Sequence, residues 1–363
     1  MKIAILGTRG IPNNYGGFEQ CAEHLSVGLV QNGYDVTVYS VDSHPYNKDQ
    51  FKRVNILKKW CPENKIGSAA HFIYDFFCLR DALKKNFDVI FEFGYQSVAI
   101  SFILLSIKDS VIITNMDGLE WKRTKWSPFV KKITKWFERI AAKHSTFLIS
   151  DNKAIRDYLK QRYNVESSLI PYGAYEVFPD YSFIKYYNVE AFSYFLLIAR
   201  LEPENNIEMI LDGYVKSEIN LPFLVIGNSE TKYGSFLKDK YEDSGAIFLG
   251  SIFNKGHLDS LRGFAKCYFH GHSVGGTNPA LLEAMAAKSF IFAHDNVFNR
   301  DVLEDNAFFF NNTKEIKEML LNFNNLALKR EGMINNNSKK IKNNYSHKNI
   351  TEQYIDLIKT VSL

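Results

Sequence analysis

The sequence is poor in the residues that mark several protein classes. Its 363 residues hold only four cysteines, Cys21, Cys61, Cys78 and Cys267, and no two are spaced C-x-x-C. That argues against a zinc site or a disulfide framework and fits a reducing cytosol. No Asp-x-Asp occurs anywhere, so no divalent metal held by such a pair is expected. The longest apolar run, residues 98–107, is half a membrane span and is interrupted by Ser101 and Ser106. Gly7 breaks the N-terminal apolar stretch too early for a signal peptide, so a soluble or peripheral protein is expected. Charge of one sign is scarce too: 44 Lys and Arg against 40 Asp and Glu leave +4, which gives nucleic-acid binding little support. What the chain does have is apolar material. Hydrophobic residues make up 46% and aromatics 15%, with 29 Phe and 20 Tyr. That is enough for two cores, and the length alone predicts about two domains.

Short apolar strands alternate with helices, twice over. Strands are expected at 3–6, 36–40, 89–91, 111–114 and 146–149, with helices at 17–31 and 69–85. The pattern restarts with strands at 195–199, 223–226, 246–249, 267–270 and 290–292, and helices at 206–216, 255–264 and 279–287. Such alternation predicts an α/β fold of two doubly wound parallel sheets, facing across a cleft that binds ligand at strand C-terminal ends. The expected domains are 1–172 and 173–345, with 346–363 a C-terminal helix packing back on the first.

The most informative stretch is Gly275-Gly276-Thr277-Asn278-Pro279, followed by an Ala/Leu/Met-rich helix. Asn278 suits an N-cap, and Pro279 needs no N–H at the first helical position. The free N–H groups of a first turn attract phosphate. Glu283, four residues beyond Pro279, shares that face and could accept hydrogen bonds from sugar hydroxyls. A nucleotide-sugar site is one reading; a tight turn before an ordinary helix is the other. An earlier glycine loop, Gly7 to Gly17, also joins a strand to a helix, but it lacks the G-x-G-x-x-G dinucleotide spacing. Asp117 and Glu120 follow a buried strand beside Trp121, Arg123 and Lys125, where a carboxylate could orient an acceptor hydroxyl; a solvated charge cluster that caps a helix is the other reading. Arg200 ends the first strand of the second half; its fork suits a diphosphate, though taken alone a surface ion pair with Glu202 or Glu204 is the stronger reading. From 120 to 143, eight Lys or Arg face two Glu and are interleaved with Trp and Phe. That pattern suits an anionic membrane surface, or a helix that buries its aromatics and solvates its lysines.

Together the motifs resemble a retaining glycosyltransferase of the family 4 type, in its rhamnosyltransferase-like bacterial subgroup. The resemblance rests on Gly-Thr-Arg-Gly-Ile-Pro…Tyr-Gly-Gly-Phe-Glu (7–19), Asp117 to Arg123, Arg200 to Asn206, and His272 to Met285. It implies the GT-B fold and transfer of a hexose, with L-rhamnose from dTDP-rhamnose the expected case. The acceptor it implies is a saccharide hydroxyl on a lipid-linked precursor of a surface polysaccharide. The donor nucleotide is dTDP or UDP, no metal or cofactor is expected, and the enzyme would lie on the inner face of the bacterial cell membrane.

The residue roles follow from the same resemblance. Asp117 and Arg200 are catalytic. Gly16, Gly17, Asn206, Gly276, Thr277, Asn278 and Glu283 bind the donor, while Glu120, Trp121 and Arg123 bind the acceptor. Asn206 stands where the family places a lysine, and Gly275 where it places a glutamate. Two alternatives stay open: a sugar-nucleotide epimerase of the same fold, and a non-catalytic sugar-nucleotide-binding subunit.

Overall fold

The computed structural model describes residues 1–14, 16–107, 110–116, 118–123 and 126–361. The chain forms two compact units. One is Met1–Gly173 together with the terminal helix His347–Val361; the other is Ala174–Ser346.

The first unit is built on eight strands: β1 (Lys2–Leu6), β2 (Asp35–Val41), β3 (Gln50–Phe51), β4 (Val54–Lys59), β5 (Val89–Phe93), β6 (Val111–Asn115), β7 (Phe147–Ser150) and β8 (Ser168–Leu169). Their order is β3-β4-β2-β1-β5-β6-β7-β8, and only β3 runs antiparallel to its neighbour. The central strands are buried along their length, β5 at every residue, because helices cover both faces of a parallel sheet. That burial is why they read as unbroken apolar runs. The terminal helix buries Ile350, Tyr354, Leu357 and Ile358 on one stripe, and Tyr354 meets Phe91 of β5 edge-on at 5.4 Å.

The second unit holds β9 (Phe195–Ile198), β10 (Phe223–Ile226), β11 (Ala246–Gly250), β12 (Cys267–His270), β13 (Ile291–His294) and β14 (Phe308–Phe310). All are parallel, in the order β11-β10-β9-β12-β13-β14. Much of the phenylalanine goes into this core. Phe269 lies 6.1 Å from Phe195, 5.2 Å from Phe223 and 5.5 Å from Phe292, mostly in tilted or edge-to-face pairs. Aromatic rings prefer such offset contacts because their quadrupoles repel face to face.

Strands expected at 223–226 and 267–270 fall on those residues, whereas the one expected at 290–292 is Ile291–His294. The β3–β4 ribbon was not expected. Its turn is Lys52-Arg53, both at positive φ (46° and 70°), between the paired residues Phe51 and Val54. Such turns usually carry Asn or Gly, and nothing in this dipeptide announces one. No helix among the described residues is long and apolar enough to cross a membrane.

Candidate active site

The second sheet reverses direction at β9. The chain leaves β9 for β10 and β11 on one side, then returns to place β12 on the other. Loops leaving β9 and β12 therefore diverge at their carboxyl ends, where open α/β sheets bind ligands. Arg200, exposed, follows β9; the glycine-rich loop follows β12.

Side chains lace these two loops together. The Asn205 amide donates from Nδ2 to the Arg200 carbonyl (2.7 Å), and its Oδ1 accepts from His272 Nδ1 (2.9 Å). That bond fixes the proton on Nδ1 in the neutral ring and leaves Nε2 as an acceptor. Ser273 Oγ donates to the Glu204 carbonyl (2.7 Å), and Asn206 Nδ2 donates to the Gly271 carbonyl (2.8 Å). Gly271 sits so close that a Cβ there would lie 1.9 Å from the Asn205 oxygen. Asn206 thus spends its amide bracing the two loops, with a left-handed backbone (φ 51°). A third loop joins them: Asn296 and Asn299, after β13, both donate to the His272 carbonyl (3.0 and 2.9 Å). Below lies His270, fully buried; burial first, then His272, His294 and Arg262, holds it well below the usual imidazole range.

The glycine loop enters its helix as its residues dictate. Asn278 is extended and its Oδ1 accepts from the Ala280 N–H at 2.8 Å, with Pro279 in the first turn of the helix Pro279–Ala286. Thr277 is buried. Gly275 takes φ 130°, which L side chains rarely adopt, and a Cβ there would sit 3.0 Å from His272 Nε2. This is a physical reason for glycine at position 275.

Glu283 is held rather than loose. Arg262, its side chain 3% exposed, donates from Nη2 to Glu283 Oε2 at 2.6 Å and from Nη1 to Asp259 at 3.3 Å. Glu283 keeps 22% of its side-chain surface. Arg262 and His272 escaped the residue assignments above. His272 lay inside a recognised motif, but nothing in sequence links Arg262 to a carboxylate 21 positions away.

In the first unit the β1 loop is braced by acids. Glu19 accepts from the Arg9 N–H (2.9 Å) and Glu23 from the Asn13 N–H (2.7 Å). Gly16 precedes the helix Gly17–Gln31 as an extended cap without a side-chain bond. Glu120 accepts from Arg123 Nε (2.6 Å) and from Trp126 Nε1 (3.0 Å), so two expected acceptor contacts are paired with each other. Trp121 lies under Lys135, whose ammonium is 4.0 Å from the ring centre. Asp117 lies outside the described residues. Deeper in this unit are two buried carboxyls. Burial pushes Asp75 up to about 7 against a hydrogen bond from Ser97, and raises Glu92 well above the usual range, with Asp75 adding to it.

Residues 1–175 match a domain of unknown function (DUF1972), and residues 185–340 match Glycosyl transferases group 1. No curated protein matches the chain. Similar solved structures include sucrose-phosphate synthase from Thermosynechococcus elongatus, at 14% identity, TM-score 0.81, over 99% of this chain and 98% of that one. The Anabaena protein HepE in complex with UDP and glucose follows at 15% identity and TM-score 0.76, over 99% of this chain and 100% of that one. WaaG, a glycosyltransferase involved in lipopolysaccharide biosynthesis, is 13% identical with TM-score 0.73, over 99% of both chains. At such identities the likeness is one of fold: two Rossmann-like parallel sheets, the GT-B architecture.

Proposed function

We propose that this glycosyltransferase moves a hexose from a nucleoside diphosphate to a saccharide hydroxyl with retention of anomeric configuration. L-Rhamnose from its dTDP form is the donor to test first, and a lipid-linked precursor of a surface polysaccharide the acceptor. One observation carries the reading: the Arg200 turn and the glycine loop are tied together through Asn205 and His272 at the β9/β12 reversal. A guanidinium and a helix start held side by side suit a diphosphate. As the sugar–phosphate bond lengthens, Arg200 and the N–H groups of Gly276, Thr277 and Asn278 take up the charge gathering on the leaving oxygen. Glu283 accepts from ribose hydroxyls while Arg262 keeps it aimed. Asp117, next after Met116, orients the acceptor hydroxyl.

The site of action is the face of an anionic bilayer. The helix Pro128–His144 buries Phe137, Ile140 and Ala141, yet Phe129 and Trp136 stay 72% and 51% exposed. They share one stripe with exposed Lys132, Arg139 and Lys143, the mix that favours an anionic interface.

Thermal shift with UDP, dTDP and GDP on the full chain, followed by product analysis with dTDP-L-rhamnose and UDP-hexoses, tests the donor claim. Arg200→Ala should lower turnover about 10²-fold or more, as loss of a charge-stabilising donor does elsewhere. Near-normal turnover in that variant refutes the assignment.

A further inference from the structure

Three loops of the first unit, after β1, β2 and β4, enclose two adjoining depressions that the site above does not use. One, of about 260 Å³, is lined by Asp42, Trp60 and Asn64 among others; the other, of about 140 Å³, by Arg9, Glu19 and Glu63. They share Ser43 and are walled by two successive residues, Pro62 and Glu63, at the start of the helix Glu63–Ile66, so they adjoin as one bent groove. Its furniture is unusual for bare surface. Trp60 leaves 53% of its area exposed at one end. At the other, Arg9 Nη2 lies 3.0 Å from Glu63 Oε1 and 3.2 Å from His71 Nε2. Burial and the Arg9 charge hold His71 below the usual imidazole range, so its Nε2 accepts from Arg9.

We infer that this groove binds a neutral saccharide of more than one pyranose ring, that of the acceptor, with Trp60 under one ring and the Arg9–Glu63 pair on the hydroxyls of another. An indole offers a flat apolar surface that matches the C–H face of a sugar ring. The half-exposed ion pair offers a donor and an acceptor side by side, side chains 28% and 35% exposed. A vicinal diol is the matching group: one hydroxyl donates to the carboxylate while its neighbour accepts from the guanidinium. The charge balance selects against acidic sugars and phosphates. Asp42, Glu19 and Glu63 outnumber Arg9 and Lys65, and His71 is neutral. This assignment rests on the transferase reading above, since it names that reaction's acceptor class. It also moves acceptor recognition away from Glu120 and Arg123, which are paired with each other.

The test is retention of the full chain, without nucleotide, on an array printed with neutral and acidic bacterial surface glycans. The wild type should retain neutral hexose or deoxyhexose glycans. Trp60→Ala and Glu63→Gln should each weaken retention about tenfold or more, the scale of one lost hydrogen bond or stacked ring. Phe253→Ala removes an aromatic 91% exposed in the other unit and should change nothing. Trp60 is a surface residue, so its variant should melt as the wild type does. No retention by the wild type, retention of acidic glycans only, or full retention by Trp60→Ala overturns the inference. Those results leave the donor claim standing, because nucleotide thermal shift reads it separately.

Discussion

Placing a glutamate at position 275 should damage this protein rather than improve it. Gly275 holds φ 130°, and its missing Cβ would stand 3.0 Å from His272 Nε2. Backbone of that kind costs a side-chain-bearing residue on the order of 1–3 kcal/mol. The ring cannot swing aside freely, because its Nδ1 is bonded to Asn205, while Asn296 and Asn299 hold the His272 backbone carbonyl and with it the loop. Gly275→Ala isolates the backbone effect, and Gly275→Glu adds the carboxylate. For a unit of this size each kcal/mol lowers Tm by roughly 2–4 °C, so Gly275→Ala should lose about 2–12 °C. If the loop shifts with it, nucleotide affinity falls about tenfold for each 1.4 kcal/mol. Calorimetric unfolding and titration with dTDP and UDP measure both. Either variant keeping Tm within about 1 °C and binding nucleotide as tightly as the wild type would refute the strain at position 275.

Arg262→Met should cost about 3–5 kcal/mol by stranding Glu283 and Asp259, and Arg262→Lys, keeping the charge without the fork, should recover part of the nucleotide affinity. A Met variant with unchanged melting and affinity would show that Glu283 needs no orientation. Asp75 is neutral when buried, so its folded-state pKa of about 7 lies above the unfolded 3.8. Its favourable contribution is complete below about pH 4 and is lost as pH rises through 7, by roughly 4 kcal/mol at most. Asp75→Asn should therefore raise Tm relative to wild type at pH 8 but not at pH 4; parallel profiles contradict this. Reversing Lys132, Arg139 and Lys143 to Glu should abolish sedimentation with phosphatidylglycerol vesicles, and unchanged sedimentation rules out the exposed stripe as the contact.

How much was legible depended on whether the signal was local. Strands such as Phe223–Ile226 announce themselves because burial on both faces demands an unbroken apolar run. The Asn278 cap was readable because a cap bonds only two or three residues ahead. The Lys52-Arg53 turn was not, since neighbouring strand pairing holds residues that would not choose positive φ alone. Nor were the Arg262–Glu283 pair and the Arg9–Glu63–His71 cluster, which depend on helices meeting across long stretches of chain. Asn206 is subtler: its place beside Arg200 was visible, but its task as a brace to Gly271 was not.

The terminal helix has a consequence for how the chain is made. Phe91 of β5 waits for Tyr354, which leaves the ribosome more than 260 residues later. The unit Ala174–Ser346 is continuous in sequence and can close its core while synthesis proceeds. The unit translated first is completed last. Until then it carries an uncovered apolar face that chaperones can recognise and proteases can exploit. A stop codon after Ser346 would leave the unit Ala174–Ser346 intact and strike the first unit instead.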